Sequence, residues 1–172
     1  AQTGALVIRY RAYFVRRLQE AAPAVHRDFS GGREELSLTY QTVSSVSDPT
    51  AAPQKILEQL RDHQERHRQA ELDSRQCLSG PHKDDLLVEL DGRSAKTYGS
   101  QGQTRTAALS LKLAQRDIFF QETGEYPVLL LDDVLSELDA RRQAFVLNHI
   151  QGGQIFITCC EAVSYTHLTL PT

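Results

Sequence analysis

The chain has 172 residues, of which 40% are hydrophobic and 24% are charged, and its formal net charge is −3. These values fit a soluble globular protein that forms one ordinary domain or part of a larger one. Mean hydropathy is −0.40 and no run of 18 apolar residues occurs, so the sequence predicts no membrane span, and its start has no signal-peptide pattern.

Cysteine and methionine usage bears on location and completeness. The three cysteines are Cys77 and the adjacent pair Cys159 and Cys160. They do not suggest a disulfide framework, and they favour a reducing, cytoplasmic compartment. Methionine is absent, even from position 1. We therefore interpret the sequence as an internal piece of a longer protein.

The first part of the chain is predicted to be mainly helical. Apolar residues recur every three or four positions over residues 5–22, which predicts an amphipathic helix, and Gly31–Gly32 then breaks the chain. Alternation over residues 36–40 predicts a half-buried strand. Residues 53–72 begin with a proline and predict a mostly polar helix that is a projecting arm or a solvated face.

The first of these helices is basic. Residues 9–33 hold six arginines against two acids, a balance of +4, and such a surface suits a phosphate backbone. The alternative is a solvated face of an arm helix. The candidate DNA contacts are Arg9, Arg11, Arg16 and Arg17.

The polar helix carries two histidines at a spacing that metal ligands can have. His63 and His67 are four residues apart, but Gln64 stands where the metalloprotease motif requires Glu. We therefore interpret both as surface histidines.

The rest of the chain alternates strands and helices. Residues 86–97 predict a hairpin around a tight Asp91–Gly92 turn, and residues 100–120 predict a helix that is apolar nearly all round and therefore buried. A strand, a helix and a strand follow at residues 128–131, 140–150 and 154–158. This order predicts an α/β fold with parallel strands in its second half.

The stretch Ser100–Gln103 opens the buried helix and has two interpretations. As a capping box, Ser100 caps the helix and Gln103 reaches back to it. The same geometry offers free backbone N–H groups, a hydroxyl and the close-approach glycine Gly102 at the positive end of a helix, which suits a phosphate. The residues alone leave both interpretations open.

Two adjacent carboxylates end the strand of residues 128–131. Helix capping or solvation explains one of Asp132 and Asp133, but not both side by side. In nucleotide hydrolases an Asp that ends a buried strand helps to hold Mg²⁺ on the phosphates, and a neighbouring carboxylate can orient or deprotonate the attacking water. The metal also relieves the repulsion between two acids. The pair therefore indicates a metal–nucleotide site.

The stretch at residues 100–103 and the later pair of acids, taken together and in this chain order, resemble motifs of the ATPase heads of SMC-like ABC-type proteins. SQGQ (100–103) resembles their signature motif, LLLDD (129–133) resembles Walker B, and SELD (136–139) resembles the D-loop. The resemblance implies that Asp132 binds magnesium and that Asp133 is the catalytic base, where a Glu is usual. The residues that it implies for ATP binding are Ser100, Gln101, Gly102, Gln103, Ser136, Asp139 and, at a switch position, Thr158.

Longer motifs are similar to those of the RecF family of bacterial DNA repair proteins. They are GPHKDDL (80–86), YGSQGQTRTAALSLKLAQ (98–115) and GEYPVLLLDDVLSELD (124–139), and the resemblance covers about residues 5–161. It implies the C-terminal part of an ABC-type ATPase head at residues 79–161, preceded by part of a helical arm domain at residues 1–78. It also implies the cofactors ATP and Mg²⁺ and an ATP-dependent homodimer on double-stranded or gapped DNA, which acts with RecO and RecR to help load RecA.

The sequence departs from the family pattern in three places. No G-x-x-x-x-G-K-[ST] phosphate loop occurs, so this chain alone should not hydrolyse ATP. Cys159 and Cys160 stand where threonines are usual, and Lys83 stands where Arg is usual. Residues 162–172 do not continue the pattern, and we predict that they are translated from a sequencing adapter and have no biological role.

Two rival interpretations come from other classes of protein. A transporter's nucleotide-binding subunit usually has Pro where Val134 follows the two acids, and its signature lies closer to Walker B than the 32 positions between Ser100 and Asp132. The other rival is a non-enzymatic DNA-binding module in which the ATPase motifs are structural remnants. DNA binding that depends on salt and needs no ATP would favour this module.

Overall fold

The computed structural model describes residues 1–43 and 45–159, so the predicted adapter-derived tail lies outside the described residues. The helices are α1 (Gln2–Ser30), α2 (Pro53–Arg66), α3 (Arg68–Ser74), α4 (Ala95–Tyr98), α5 (Gln101–Thr123) and α6 (Ala140–His149). The strands are β1 (Leu36–Gln41), β2 (Asp85–Leu90), β3 (Arg93–Ser94), β4 (Leu129–Asp132) and β5 (Ile155–Thr158). Single 3₁₀ turns occupy Pro81–Lys83 and Leu135–Glu137. Within the described part of the chain, no helix has the length and apolarity that crossing a bilayer requires.

The strands form two small sheets. β1, β2 and β3 are antiparallel in that order, while β4 and β5 are parallel and pair from Leu129 opposite Ile155 to Asp132 opposite Thr158. The predicted α/β class, with parallel strands in the second half, is confirmed. Parallel pairing brings the carboxyl ends of β4 and β5 to the same edge, which is where the two acids lie.

Helix α1 is longer than the predicted 5–22 and contains Pro23. A proline inside a helix removes one backbone hydrogen bond, and the apolar pattern alone does not show that the helix continues past it. The helix continues because Val25 and Phe29, on the next two turns, are buried in the main core. It ends at Gly31, whose φ of 70° is the left-handed conformation that glycine adopts at helix ends.

The predicted helix of residues 53–72 is two helices that meet at His67. One face of α2 packs instead of being solvated, because Ile56, Leu57 and Leu60 form a second buried cluster with Ala5 and Ile8 of α1. The prediction of a purely solvated or projecting helix is therefore wrong for that face.

The two histidines of this region are not plain surface residues. The imidazole rings of His63 and His67 stack with their centroids 4.0 Å apart, and His63 is hydrogen-bonded to the hydroxyl of Ser79. Partial burial, together with the neighbouring His67, lowers the pKa of His63.

The hairpin forms around the predicted turn, but its second strand is short. Asp91 and Gly92 have φ values of 51° and 73°, as a tight turn between antiparallel strands requires. β3 has only two residues, and residues 95–98 form α4 where the alternation predicted more strand.

The main core joins α1, β1, α5, β4 and α6 around buried apolar residues that come from both sides of residue 78. The domain boundary at that residue therefore remains a prediction.

The β4 strand is covered on one face only: Leu129 and Leu131 are buried, whereas Leu130 is 70% exposed. The prediction of a buried strand is thus correct for one of its faces, and Phe119 and Phe120 of α5 are likewise partly exposed.

Candidate functional site

The candidate magnesium ligand lies at the carboxyl end of the parallel sheet. Asp132 ends β4, and the Thr158 hydroxyl at the end of β5 donates a hydrogen bond to Asp132 Oδ1 at 2.5 Å. Both side chains are exposed at the sheet edge. The predicted switch residue therefore contacts the predicted metal ligand directly and fixes one of its oxygens.

The candidate base, Asp133, occupies an unusual backbone conformation. Its φ is 51°, in the left-handed region that residues with side chains seldom adopt. The Asp133 N–H donates to Thr158 Oγ1 at 2.9 Å and to the Thr158 carbonyl oxygen at 3.2 Å. Ser136 donates to the Asp133 carbonyl oxygen at 2.9 Å and also contacts the Asp133 carboxylate. These bonds fix the backbone of Asp133 at the end of β4 and orient its carboxylate through Ser136.

The residues Ser100 to Gln103 form the predicted capping box. The Gln103 N–H donates to Ser100 Oγ at 3.3 Å, and the Ser100 N–H donates to Gln103 Oε1 at 2.9 Å. This confirms the capping role and leaves the phosphate interpretation as a prediction. The first-turn N–H groups of Gln101 and Gly102 lack intrahelical partners by their position, so an anion could be bound there.

The start of α6 lies beside the start of α5. Asp139 caps α6 by accepting from the Arg142 N–H at 3.0 Å, and the Asp139 carboxylate is 3.4 Å from the Arg142 guanidinium. A Cβ on Gly102 would lie 3.6 Å from Arg142 Nη1, so Arg142 packs against the glycine. The structure thus brings the predicted D-loop aspartate and the predicted signature glycine close to the same guanidinium nitrogen, Arg142 Nη1.

The donor set at the sheet edge fits magnesium in one particular way. Among the side chains that the structure describes, no cluster of three or more His, Cys, Asp and Glu residues is suited to a metal. Mg²⁺ is usually bound through one or two carboxylates together with substrate phosphates and water. Asp132 and Asp133 supply that number and type of ligand, so the residues fit a metal that arrives with a nucleotide.

The candidate DNA-binding arginines differ in their surroundings. Arg11 donates to the Pro81 carbonyl oxygen and pairs with Asp84 at 3.4 Å, while Arg17 pairs with Glu122 at 2.8 Å. Arg16 lies 3.9 Å from Glu20 on the exposed surface, an arrangement that contributes little stability. Arg9 is exposed. Arg11 and Arg17 are therefore committed to protein contacts.

Asp84 of the GPHKDDL stretch is a buried structural carboxylate, which the sequence pattern did not indicate. Its side chain is 1% exposed. It accepts from Tyr40 Oη at 2.5 Å, Thr42 Oγ1 at 3.3 Å and the Val43 N–H at 3.2 Å, in addition to Arg11. Burial of the Tyr40 phenol and its bond to this carboxylate raise the pKa of Tyr40. The motif thus joins β1, α1 and the turn before β2.

A second polar cluster missed by sequence reasoning lies behind the capping box. Glu34 Oε2 is 3.2 Å from His26 Nε2, and His26 Nδ1 is 3.1 Å from Ser110 Oγ. Burial lowers the pKa of His26, while the carboxylate of Glu34 opposes that shift. A buried His in an apolar helix pattern gives no signal of its partners, because they come from a loop and from another helix.

Comparison with curated proteins gives one consistent group of relatives. No family model matches the chain. The DNA replication and repair protein RecF of Bacillus subtilis (strain 168) is 46% identical over 170 residues, which is 98% of this chain and 46% of the relative. The RecF of Enterococcus faecalis (strain ATCC 700802 / V583) is 43% identical over 92% of this chain and 42% of its own length. The chain thus spans somewhat less than half the length of the curated relatives it matches.

Two solved structures have the same fold. The structure described as the recombination mediator protein RecF-ATPrS in the RecFOR pathway has a TM-score of 0.79 and 34% identity, covering 94% of this chain and 43% of the other. The corresponding RecF-ATP structure has a TM-score of 0.77 and 34% identity, covering 92% and 42%. Because 46% identity to a RecF protein extends over 98% of this chain, and because the fold also matches, the chain belongs to the RecF family of DNA replication and repair proteins.

Proposed function

We propose that this chain is the C-terminal part of a RecF-type protein and supplies one half of a composite ATP site. The observation that carries the proposal is the edge of the parallel sheet, where Asp132 and Asp133 are adjacent and Thr158 is hydrogen-bonded to both. The solved relatives described as RecF-ATP and RecF-ATPrS support ATP as the nucleotide.

The two acids have different roles in this proposal. Asp132 would hold Mg²⁺, which when present would neutralise the phosphate charge and help to orient the γ-phosphate for attack by water. Asp133 orients the attacking water and accepts its proton, and Ser136 fixes the rotation of that carboxylate. The phosphate loop comes from a part of the protein outside this sequence, so the chain alone does not turn ATP over.

The start of α5 contacts a nucleotide held by a second copy of the protein. Ser100 offers its hydroxyl and Gln101 and Gly102 offer backbone N–H groups to the γ-phosphate, while Gln103 maintains the cap. The 3₁₀ turn Leu135–Glu137, followed by Asp139 at the start of α6, leads from the carboxylates toward the same interface. Because these donors bind more strongly when a γ-phosphate is present, ATP shifts the protein toward a closed homodimer.

We further propose that the dimer binds double-stranded and gapped DNA in the cytoplasm and acts with RecO and RecR to assist RecA loading. Among the four candidate arginines, Arg9 and Arg16 lie on the exposed face of α1 and remain the better phosphate contacts. The DNA repair names of the relatives support this role.

The test uses the restored protein, defined as this chain joined to the part of the Bacillus subtilis relative that it lacks. Asp133→Asn should abolish ATP hydrolysis yet preserve ATP-dependent dimerisation, because the amide keeps the shape of the side chain but cannot accept the proton. Glu125→Gln, an exposed acid in the same segment, is the matched control and should hydrolyse ATP normally. Normal turnover by Asp133→Asn would exclude the role of Asp133. DNA binding by the restored protein without any ATP requirement would favour the non-enzymatic module.

A further inference from the structure

A line of hydrogen-bonded side chains connects the start of α5 to the interior of α1. Gln103 Nε2 donates to Glu34 Oε1 at 3.2 Å, and the other carboxylate oxygen, Glu34 Oε2, is 3.2 Å from His26 Nε2. His26 is buried, and Ser110, about two turns after Gln103 on α5, contacts its second ring nitrogen. The line therefore starts and ends on α5 and passes through the loop before β1.

Donor and acceptor chemistry fixes the orientation of the Gln103 amide. An ionised carboxylate only accepts, so both neighbours of Glu34 must donate to it. The NH₂ group of Gln103 therefore faces Glu34, and its carbonyl oxygen faces the Ser100 N–H at 2.9 Å. If the amide rotated by 180°, two donors would face each other at Ser100, and one arm of the capping box would be lost.

We propose that Glu34, held by His26, is a positioning residue that fixes the first turn of α5 through the amide of Gln103. Glu34 does not touch the nucleotide. It holds Ser100 and the N–H groups of Gln101 and Gly102 in the arrangement that receives a phosphate. This role rests on the proposed function of that turn, whereas the hydrogen-bond line itself does not.

The first turn of α5 is also contacted by a residue of α6. Arg142 packs against Gly102, and together with Asp91 and Glu34 it is one of the charged groups that act on His26. The turn is therefore contacted by Glu34 through Gln103 and by Arg142 through Gly102. Loss of Glu34 should loosen the first of these contacts and leave the second in place.

The first measurement is independent of nucleotide. In the restored protein, the side-chain amide protons of Gln103 should exchange with solvent more slowly than those of Gln101, an exposed glutamine two residues away that serves as an internal reference. Glu34→Ala should remove this difference, and Glu34→Gln should retain most of it because its carbonyl oxygen still accepts. Equal exchange of the two glutamines in the unmutated protein would overturn the proposal, even if Glu34→Ala failed to fold.

The second measurement is the ATP dependence of dimerisation, followed by analytical ultracentrifugation. Glu34→Ala should weaken the ATP-dependent dimer about tenfold, the equivalent of one hydrogen bond to a charged group. Glu34→Gln should rescue it, and Glu35→Ala, at the exposed neighbouring acid, should leave it unchanged. The positioning role would be overturned if the amide protons of Gln103 exchanged faster in Glu34→Ala while the ATP-dependent dimer stayed as strong as in the unmutated protein. Ser100→Arg separates the two proposals, because a normal ATP dimer in that variant means that the proposed function of the turn has failed.

Discussion

Thr158 Oγ1 lies 2.5 Å from Asp132 Oδ1, so the hydroxyl that ends β5 holds the carboxylate that ends β4. The same hydroxyl accepts the Asp133 N–H at 2.9 Å. One side chain thus acts as a donor to the first acid and as an acceptor for the backbone of the second. The predicted switch residue therefore supports the carboxylate of Asp132 and the backbone of Asp133.

Replacing Thr158 by Val should destabilise the chain by about 1 kcal/mol, the usual net contribution of a hydrogen bond. The isosteric side chain removes the hydroxyl, so the Asp132 carboxylate loses the Thr158 donor and the Asp133 N–H loses the shorter of its two bonds to Thr158. The free energy of unfolding from urea titration measures the loss. Thr158→Ser keeps the hydroxyl and is the control; equal stability of the Val and Ser variants would contradict the support role.

Replacing Asp84 by Asn should lower the free energy of unfolding by about 2–3 kcal/mol, as expected when a buried charged acceptor is lost. The neutral amide accepts more weakly from Tyr40 and Val43, and its NH₂ group faces donors. Asp85→Asn, at the exposed neighbouring acid, should change stability by less than about 0.5 kcal/mol. Similar urea midpoints for the two variants would show that Asp84 is not the structural centre of its motif.

The stability of the chain should fall in acid because of His26. Burial lowers the pKa of His26, so the unfolded chain binds a proton more readily than the folded one. The contribution of the neutral ring is fully present above the unfolded value of about 6.5 and is lost as pH falls through the lower folded pKa. Urea unfolding between about pH 5 and 8 should therefore show a slope that His26→Gln reduces. The lowered pKa of His63 adds a contribution of the same sign, so some slope should remain in His26→Gln. A slope that is undiminished in His26→Gln would contradict the role of His26.

Local sequence signals predicted the elements that depend on local interactions. The capping box at Ser100, the turn at Asp91–Gly92 and the two strands that end at Asp132 and Thr158 all follow from short patterns, and the structure contains them. The continuation of α1 past Pro23 could not be predicted this way, because it depends on packing against α5.

The supporting contacts of the candidate site were equally hidden from the sequence. Glu34 meets Gln103 across 69 positions, and Arg11 meets Asp84 across 73. Neither pair has a periodic or spacing signal, since each joins a helix to a loop or turn. The motifs therefore identified the residues of the site, and only the fold identified the residues that hold them.

The dimerisation of Ser100→Arg in the restored protein tests the central claim most directly. A long cation at the start of α5 should fill the space that the γ-phosphate of the partner's nucleotide requires. Loss of the Ser100 cap should cost only about 1 kcal/mol, which urea unfolding of the variant measures separately. The account predicts that ATP no longer produces a dimer in sedimentation analysis, although ATP binding to each monomer persists. A variant that dimerises with ATP as well as the unmutated protein would contradict a phosphate role and leave Ser100 as a helix cap alone.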